Sequence, residues 1–241
     1  MPTFPVEGLV RACQYSFATN RLNYCGPENA FQAFQAFVVR PSPEQAPRIR
    51  QLLEGFTGLN LYLDLIASAN NLDRFAERVI EAYWLGNELL DSIPFDRFKG
   101  ALSTGLVRAG LPASIVKEKV ARLQPSFNAH HSFHVLYINF ITPKVEKIIE
   151  NLNQCLSLAG KVLEVKGNRL QVASRRLVQS GAAFAFEPCV KEVENPFIEE
   201  PQANELVSFH WDVAVERLSF TQAAALQKYT QVNLETVNSL L

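Results

Sequence analysis

Gly160-Lys161-Val162-Leu163-Glu164-Val165-Lys166-Gly167-Asn168-Arg169-Leu170-Gln171-Val172-Ala173-Ser174 is the stretch on which the fold class turns. Valine alternates with polar residues on both sides of Gly167-Asn168, the period-two pattern of two half-buried strands joined by a two-residue turn. Working outward, residues 182–187 read as a third short strand ahead of Pro188. Residues 132–140, short, aromatic and β-branched, read as another. Thr142-Pro143 opens a helix to about Gln154 by the cap-then-proline rule. Short strands with tight turns suggest a small barrel or a curled sheet. Residues 207–212 either finish a strand or start a helix through about Leu218. Thr221 caps a last amphipathic helix carrying Leu226, Tyr229, Leu234 and Val237.

Upstream of Pro125 the period changes to that of helices, cut by proline and glycine. Helices are expected over 5–18, around Phe31 to Phe37, and over 44–55, 58–68, 73–90, 95–108 and 113–122. In the stretch 73–90, Phe75, Val79, Ala82, Gly86 and Leu89 share a face, and Asp73 can cap its start. The fold class is therefore α+β: a mainly helical N-terminal half, a small β-barrel or curled sheet in the C-terminal half, and a closing C-terminal helix. The expected boundaries are 1–125 for a helical domain, 126–205 for a β-rich unit with one helix, and 206–241 for a helical segment packing back.

Composition excludes several function classes. Lys+Arg number 23 against 24 Asp+Glu, a net charge of −1, which speaks against a broadly basic nucleic-acid binder. No apolar run approaches the ~20 residues of a membrane span, and residues 1–14 lack the basic start of a secretory signal, so a cytoplasmic protein is expected. No Walker loop, GxGxxG, GxSxG or HExxH occurs. The four cysteines, 13, 25, 155 and 189, form no CxxC pair.

Candidate chemistry lies in histidine and cysteine. His130, His131 and His134 fall within five residues. In a strand, His130 and His134 share a face about 13–14 Å apart at Cα, and in a helix they are i, i+4 neighbours about 6 Å apart. The helical spacing lets both converge on one metal ion, with a third ligand from elsewhere. The plainer alternative is that they cap an element or fill a polar corner. Cys25 sits in a turn ahead of Gly26-Pro27, where the start of the next helix would favour a thiolate. His210-Trp211-Asp212 adds a histidine with a carboxylate that could orient its ring, or that could instead cap a helix. Glu77, Glu81 and Glu88 read as a solvated stripe paired with Arg74 and Arg78.

From Cys155 the run C-L-x-x-x-G-K-V-L-E-V-x-G resembles the opening of the small β-barrel chaperones that mature [NiFe]-hydrogenases, the HypC/HupF type. In that family a cysteine helps hold the iron unit during its transfer. The family cysteine is a processed N-terminus, whereas Cys155 lies inside the chain. Four blocks, residues 21–27, 82–87, 130–135 and 210–212, also resemble an uncharacterised family associated with hydrogenase gene clusters. The resemblance implies an accessory or maturation factor, with a hydrogenase subunit or maturation factor as partner and iron or nickel held transiently. The candidate ligands are Cys25, His130, His134, Cys155 and His210. Two alternatives stand beside it: a hydrolase or transferase using Cys25 with a histidine of the 130–134 cluster, and a metal-free scaffold.

Overall fold

Proline, glycine and asparagine divide residues 6–130 into seven helices among the described residues: α1 (Val6–Arg21), α2 (Ala30–Val39), α3 (Ala46–Glu54), α4 (Thr57–Asn70), α5 (Glu77–Trp84), α6 (Phe95–Arg108) and α7 (Ala113–Ala121). The structure, a computed structural model, describes residues 6–138, 146 and 148–241. Its chain separates into two units, Met1–His130 and His131–Leu241.

In the first unit α1 packs against α2, α3 and α5, α4 against α5 and α6, and α7 against α6. Tyr15 stacks on Trp84 at 4.7 Å between ring centroids, and Tyr62 on Tyr83 at 5.3 Å. All four rings are buried, and each such pair adds about 0.5–1.5 kcal/mol beyond the area it removes from water. The turn after α1 is organised by Asn20. Its Nδ2 donates to the carbonyls of Cys25 (2.8 Å) and Pro27 (2.7 Å), and its Oδ1 accepts from Phe31 N at 2.6 Å. One buried amide thus replaces the backbone partners that an irregular turn lacks.

The helix expected over 73–90 is shorter, Glu77–Trp84. Asp73 caps a turn rather than a helix, accepting from Phe75 N at 2.8 Å. Gly86, at φ 89°, ends the helix in the left-handed region open to glycine. The acidic stripe is also shared differently: Glu77 lies 3.4 Å from Arg11, Arg74 turns to Asp64, and Arg78 meets Glu88.

The second unit contains the strands. β1 (Leu158–Lys166), β2 (Arg169–Ser180) and β3 (Ala183–Glu194) form an antiparallel meander, followed by β4 (Leu206–His210) and β5 (Val213–Arg217). The order β1-β2-β3-β5-β4 returns to β1, since β4 pairs antiparallel with it. Closure between β3 and β5 rests on one parallel pair, Glu194 with Val213, backed by Glu194 N donating to Asp212 O at 2.8 Å. The element is therefore a curled sheet closed at one point rather than a fully laddered barrel. Val162, Leu170, Val172, Val193, Val207, Phe209, Val213 and Val215 are buried in it. A Cβ at Gly160 would lie 2.9 Å from Val172 Cβ, so the close approach of β1 to β2 requires glycine there.

One expected strand is absent among the described residues, and one open alternative is resolved. Residues 132–138 do not form the expected strand, and residues 139 and 140 lie outside the described residues: His131–Phe133 is a short α-helical turn (α8) that continues as a π-helix over His134–Ile138. Val135, Leu136, Tyr137 and Ile138 are all buried, and a short apolar run buried all round carries no periodicity that separates strand from helix. Residues 207–217 take the strand alternative of the two readings, not the helix. They form the β4–β5 hairpin, turned by Trp211 and Asp212. The segment 206–241 thus gives the second unit two strands as well as its last helix, α10 (Phe220–Asn238). That helix is capped by Ser219, not Thr221, through a reciprocal box with Gln222.

The helix expected from Thr142 is seen over Ile149–Cys155 (α9); residues 139–145 and 147 lie outside the described residues. Asn153 docks α9 on β2 by accepting from Leu177 N (2.6 Å) and donating to Leu177 O (2.8 Å). Asn233 Nδ2 of α10 donates to Ser132 Oγ of α8 at 2.9 Å, and Asn238 exchanges two 2.8 Å bonds with the Phe184 backbone on β3.

Candidate metal centre

Three segments of the second unit end at one place. His131 begins α8, Cys155 ends α9, and His210 ends β4. One ring nitrogen of each histidine and the Cys155 sulfur lie within 4.8 Å of one another. All three residues are buried, with 5%, 4% and 1% of their surfaces exposed. The His131 and His210 rings meet edge to face, 5.3 Å between centroids and 89° between planes. Among the described residues no carboxylate joins the group.

Hydrogen bonds hold these segments in register. His131 Nε2 and the Cys155 carbonyl are 2.7 Å apart. A carbonyl only accepts, so Nε2–H donates, and in the neutral ring Nδ1 is the nitrogen that carries the lone pair. This is the arrangement by which metal-binding histidines are usually oriented, with the second nitrogen anchored to a carbonyl or carboxylate. Next to Cys155, Gln154 clamps the β4–β5 turn. Its carbonyl accepts from Trp211 N at 2.8 Å, and its Nε2 donates to Asp212 Oδ2 at 2.6 Å. Lys191 pairs with the other Asp212 oxygen. Asp212 is thus neither a ring-orienting group nor a helix cap; it ties the turn that carries His210.

That turn is strained. Trp211 and Asp212 have φ of 51° and 56°, the paired left-handed conformation of a type I′ turn. Aspartate tolerates that region, but a bulky tryptophan there costs about 1–3 kcal/mol, and such strain persists where surrounding contacts over-determine it. The two Gln154 bonds supply that determination one residue from a candidate ligand.

The remaining candidates sit elsewhere. His130 belongs to the first unit and is buried, its Nε2 donating to Trp84 O at 3.2 Å. Burial presses its pKa down to about 3, against a smaller opposing effect of the Trp84 bond, so the ring is neutral at ordinary pH. Cys25 is half-buried in the turn that Asn20 organises, also in the first unit. His134, one helical turn after His131, is half-buried on the π-helix and outside the three-residue group. Cys155 and His210 are therefore brought together, and the histidine that meets them is His131. The single signal for His131 was its place in the cluster; the strand reading turned it to the opposite face from His130 and His134.

A His/Cys/His set of buried donors suits soft-to-borderline transition ions, with sulfur and imidazole and without the oxygen ligands that magnesium or calcium requires. Metal–ligand bonds of about 2.0–2.3 Å place tetrahedral ligands about 3.3–3.8 Å apart, so closure on an ion takes movement on the scale of side-chain rotation. Three protein donors leave the fourth position to water or to a ligand from outside.

Fold and site define a two-unit α+β protein whose C-terminal curled sheet carries a buried soft-donor triad. Over residues 5–241 the sequence matches the model of a family of unknown function, DUF6390, and the chain belongs to that family. No curated protein and no solved structure matches it. Among the described residues no helix is long and apolar enough to cross a membrane.

Proposed function

We propose that the protein is an accessory factor for a metalloenzyme, binding a transition-metal ion through His131, Cys155 and His210 and releasing it to a recipient. The observation that carries this reading is the convergence of three buried donors from three separate segments. Three ligands rather than four favour a site from which an ion leaves, because an incoming ligand can enter the fourth position before any protein bond breaks. The hydrogenase form of the reading, with iron or nickel as cargo and a hydrogenase subunit or maturation factor as partner, has its support in the resemblance of the Cys155 run, whose cysteine lies three residues before the first strand. The alternative enzyme, Cys25 with a histidine of the 130–134 cluster, has less support at His130, whose pKa of about 3 makes it a poor proton acceptor near neutrality.

The test is metal analysis of untagged protein isolated without oxygen from cells supplied with iron and nickel, alongside C155S. About one bound ion per chain, lost in C155S, is expected; equal metal content in the two proteins contradicts the reading. A pulldown from the native host then identifies the recipient. Recovery of a hydrogenase subunit or maturation factor supports the specific form, and recovery of metabolic enzymes alone removes it.

A further inference from the structure

We infer that the cleft bounded by α9, β2 and β3 binds a small organic oxyanion, a carboxylate or a phosphate with an apolar body, gripped by Arg175. The inference goes beyond the metal reading and does not depend on it. The cleft has a volume of about 610 Å³ and is lined by Leu177 and Phe209 together with the cations Arg175, Arg176 and Lys191 and the single carboxylate of Glu150. Arg175 also lines a neighbouring cavity of about 430 Å³. Volumes of this size, with mostly apolar walls and a few convergent polar groups, are those of small-molecule sites.

The three cations are not equivalent. Lys191 is held by Asp212, and Arg176 faces Glu187 at 3.7 Å. Arg175 has no carboxylate within ion-pair distance among the described residues; its guanidinium carbon lies 4.2 Å from the centroid of the Phe186 ring. A ring face attracts a guanidinium but offers no conventional acceptor for its five N–H donors. The group is half-buried, and burial already lowers its pKa. A desolvated charge without a counter-charge destabilises a fold and is ordinarily neutralised or paired. The planar fork of arginine matches carboxylate and phosphate bidentately, and the apolar floor gives the rest of such a ligand a surface to cover.

Calorimetric titration of the full chain with benzoate and with phenyl phosphate, at fixed ionic strength and with sodium chloride as control, tests the inference and separates the two oxyanions. Saturable one-to-one binding of at least one probe is expected. Arg175→Met should weaken it about tenfold or more, the loss of a charge-assisted bidentate contact, and Arg175→Lys should weaken it less. The thermal midpoint of the unliganded Arg175→Met protein should equal or exceed that of the parent, as it would not if Arg175 were a structural brace. Saturation by neither probe, or parental affinity in both variants, overturns the inference. The lysine variant keeps the test decisive should the methionine variant fail to fold.

Discussion

The two units use the same residue types for different ends. In the first, buried polar side chains turn toward backbone: His130 toward the Trp84 carbonyl, Asn20 toward the Cys25 and Pro27 carbonyls, Asn60 toward those of Leu53 and Phe56. Each repairs a place where the helical ladder stops. In the second, backbone is spent on side chains. The Cys155 carbonyl holds a histidine ring, and the Gln154 carbonyl holds the strained turn after His210. Burial alone does not mark a site; what distinguishes the second unit is that its donors face one another.

The sharpest way to break this contrast is to remove one sulfur from each unit. Cys155→Ser should lower metal affinity by about a hundredfold or more, since a neutral hydroxyl replaces a thiolate ligand. Cys25→Ser should leave affinity unchanged in the same competition titration. Next in size, Asn20→Ala removes three hydrogen bonds from the first unit and should destabilise the protein by about 2–3 kcal/mol in denaturant unfolding, with metal affinity intact. Gln154→Ala removes the side-chain clamp on Asp212 and should weaken metal binding about tenfold, the lower end of the loss expected when a supporting partner of a ligand goes.

A pH-dependent effect, gradual per unit of pH, comes from His130. Its folded pKa, about 3, lies below the ordinary value of 6.5, so between those values the unfolded chain binds more protons. Stability is therefore full above pH 6.5 and falls by up to about 1.4 kcal/mol per pH unit as pH drops toward 3. His130→Gln, whose amide can still donate to Trp84 O, should flatten that part of the stability curve. An unchanged slope would mean that the ring is not shielded from water as its burial requires.

Much of the fold was legible because its signals are local. The valine alternation around Gly167-Asn168 became β1 and β2, and the helix read over 95–108 is α6, Phe95–Arg108. Gly86 was read as part of a helical face, but its left-handed backbone ended the helix. What escaped was set by tertiary context. Trp211-Asp212 carries none of the Asn-Gly or Asp-Gly chemistry that announces a type I′ turn, and it is held by Gln154, 57 residues earlier in the chain, so the β4–β5 hairpin had no local signature. The same applies to the site. Cys155 and His210 were among the candidates, but the choice of His131 over His130 depends on where a π-helix starts, and burial on all sides erased the pattern that would have shown it.

The central claim is that His131, Cys155 and His210 close on a single ion. Cobalt(II) titration followed by absorption tests it most directly, because a cobalt–thiolate bond gives a near-ultraviolet charge-transfer band that histidine alone does not. That band should saturate at about one equivalent, with the visible bands of a tetrahedral ion, be absent in Cys155→Ser, and persist in Cys25→Ser. A titration without the thiolate band, or one that Cys155→Ser leaves unaltered, would contradict it.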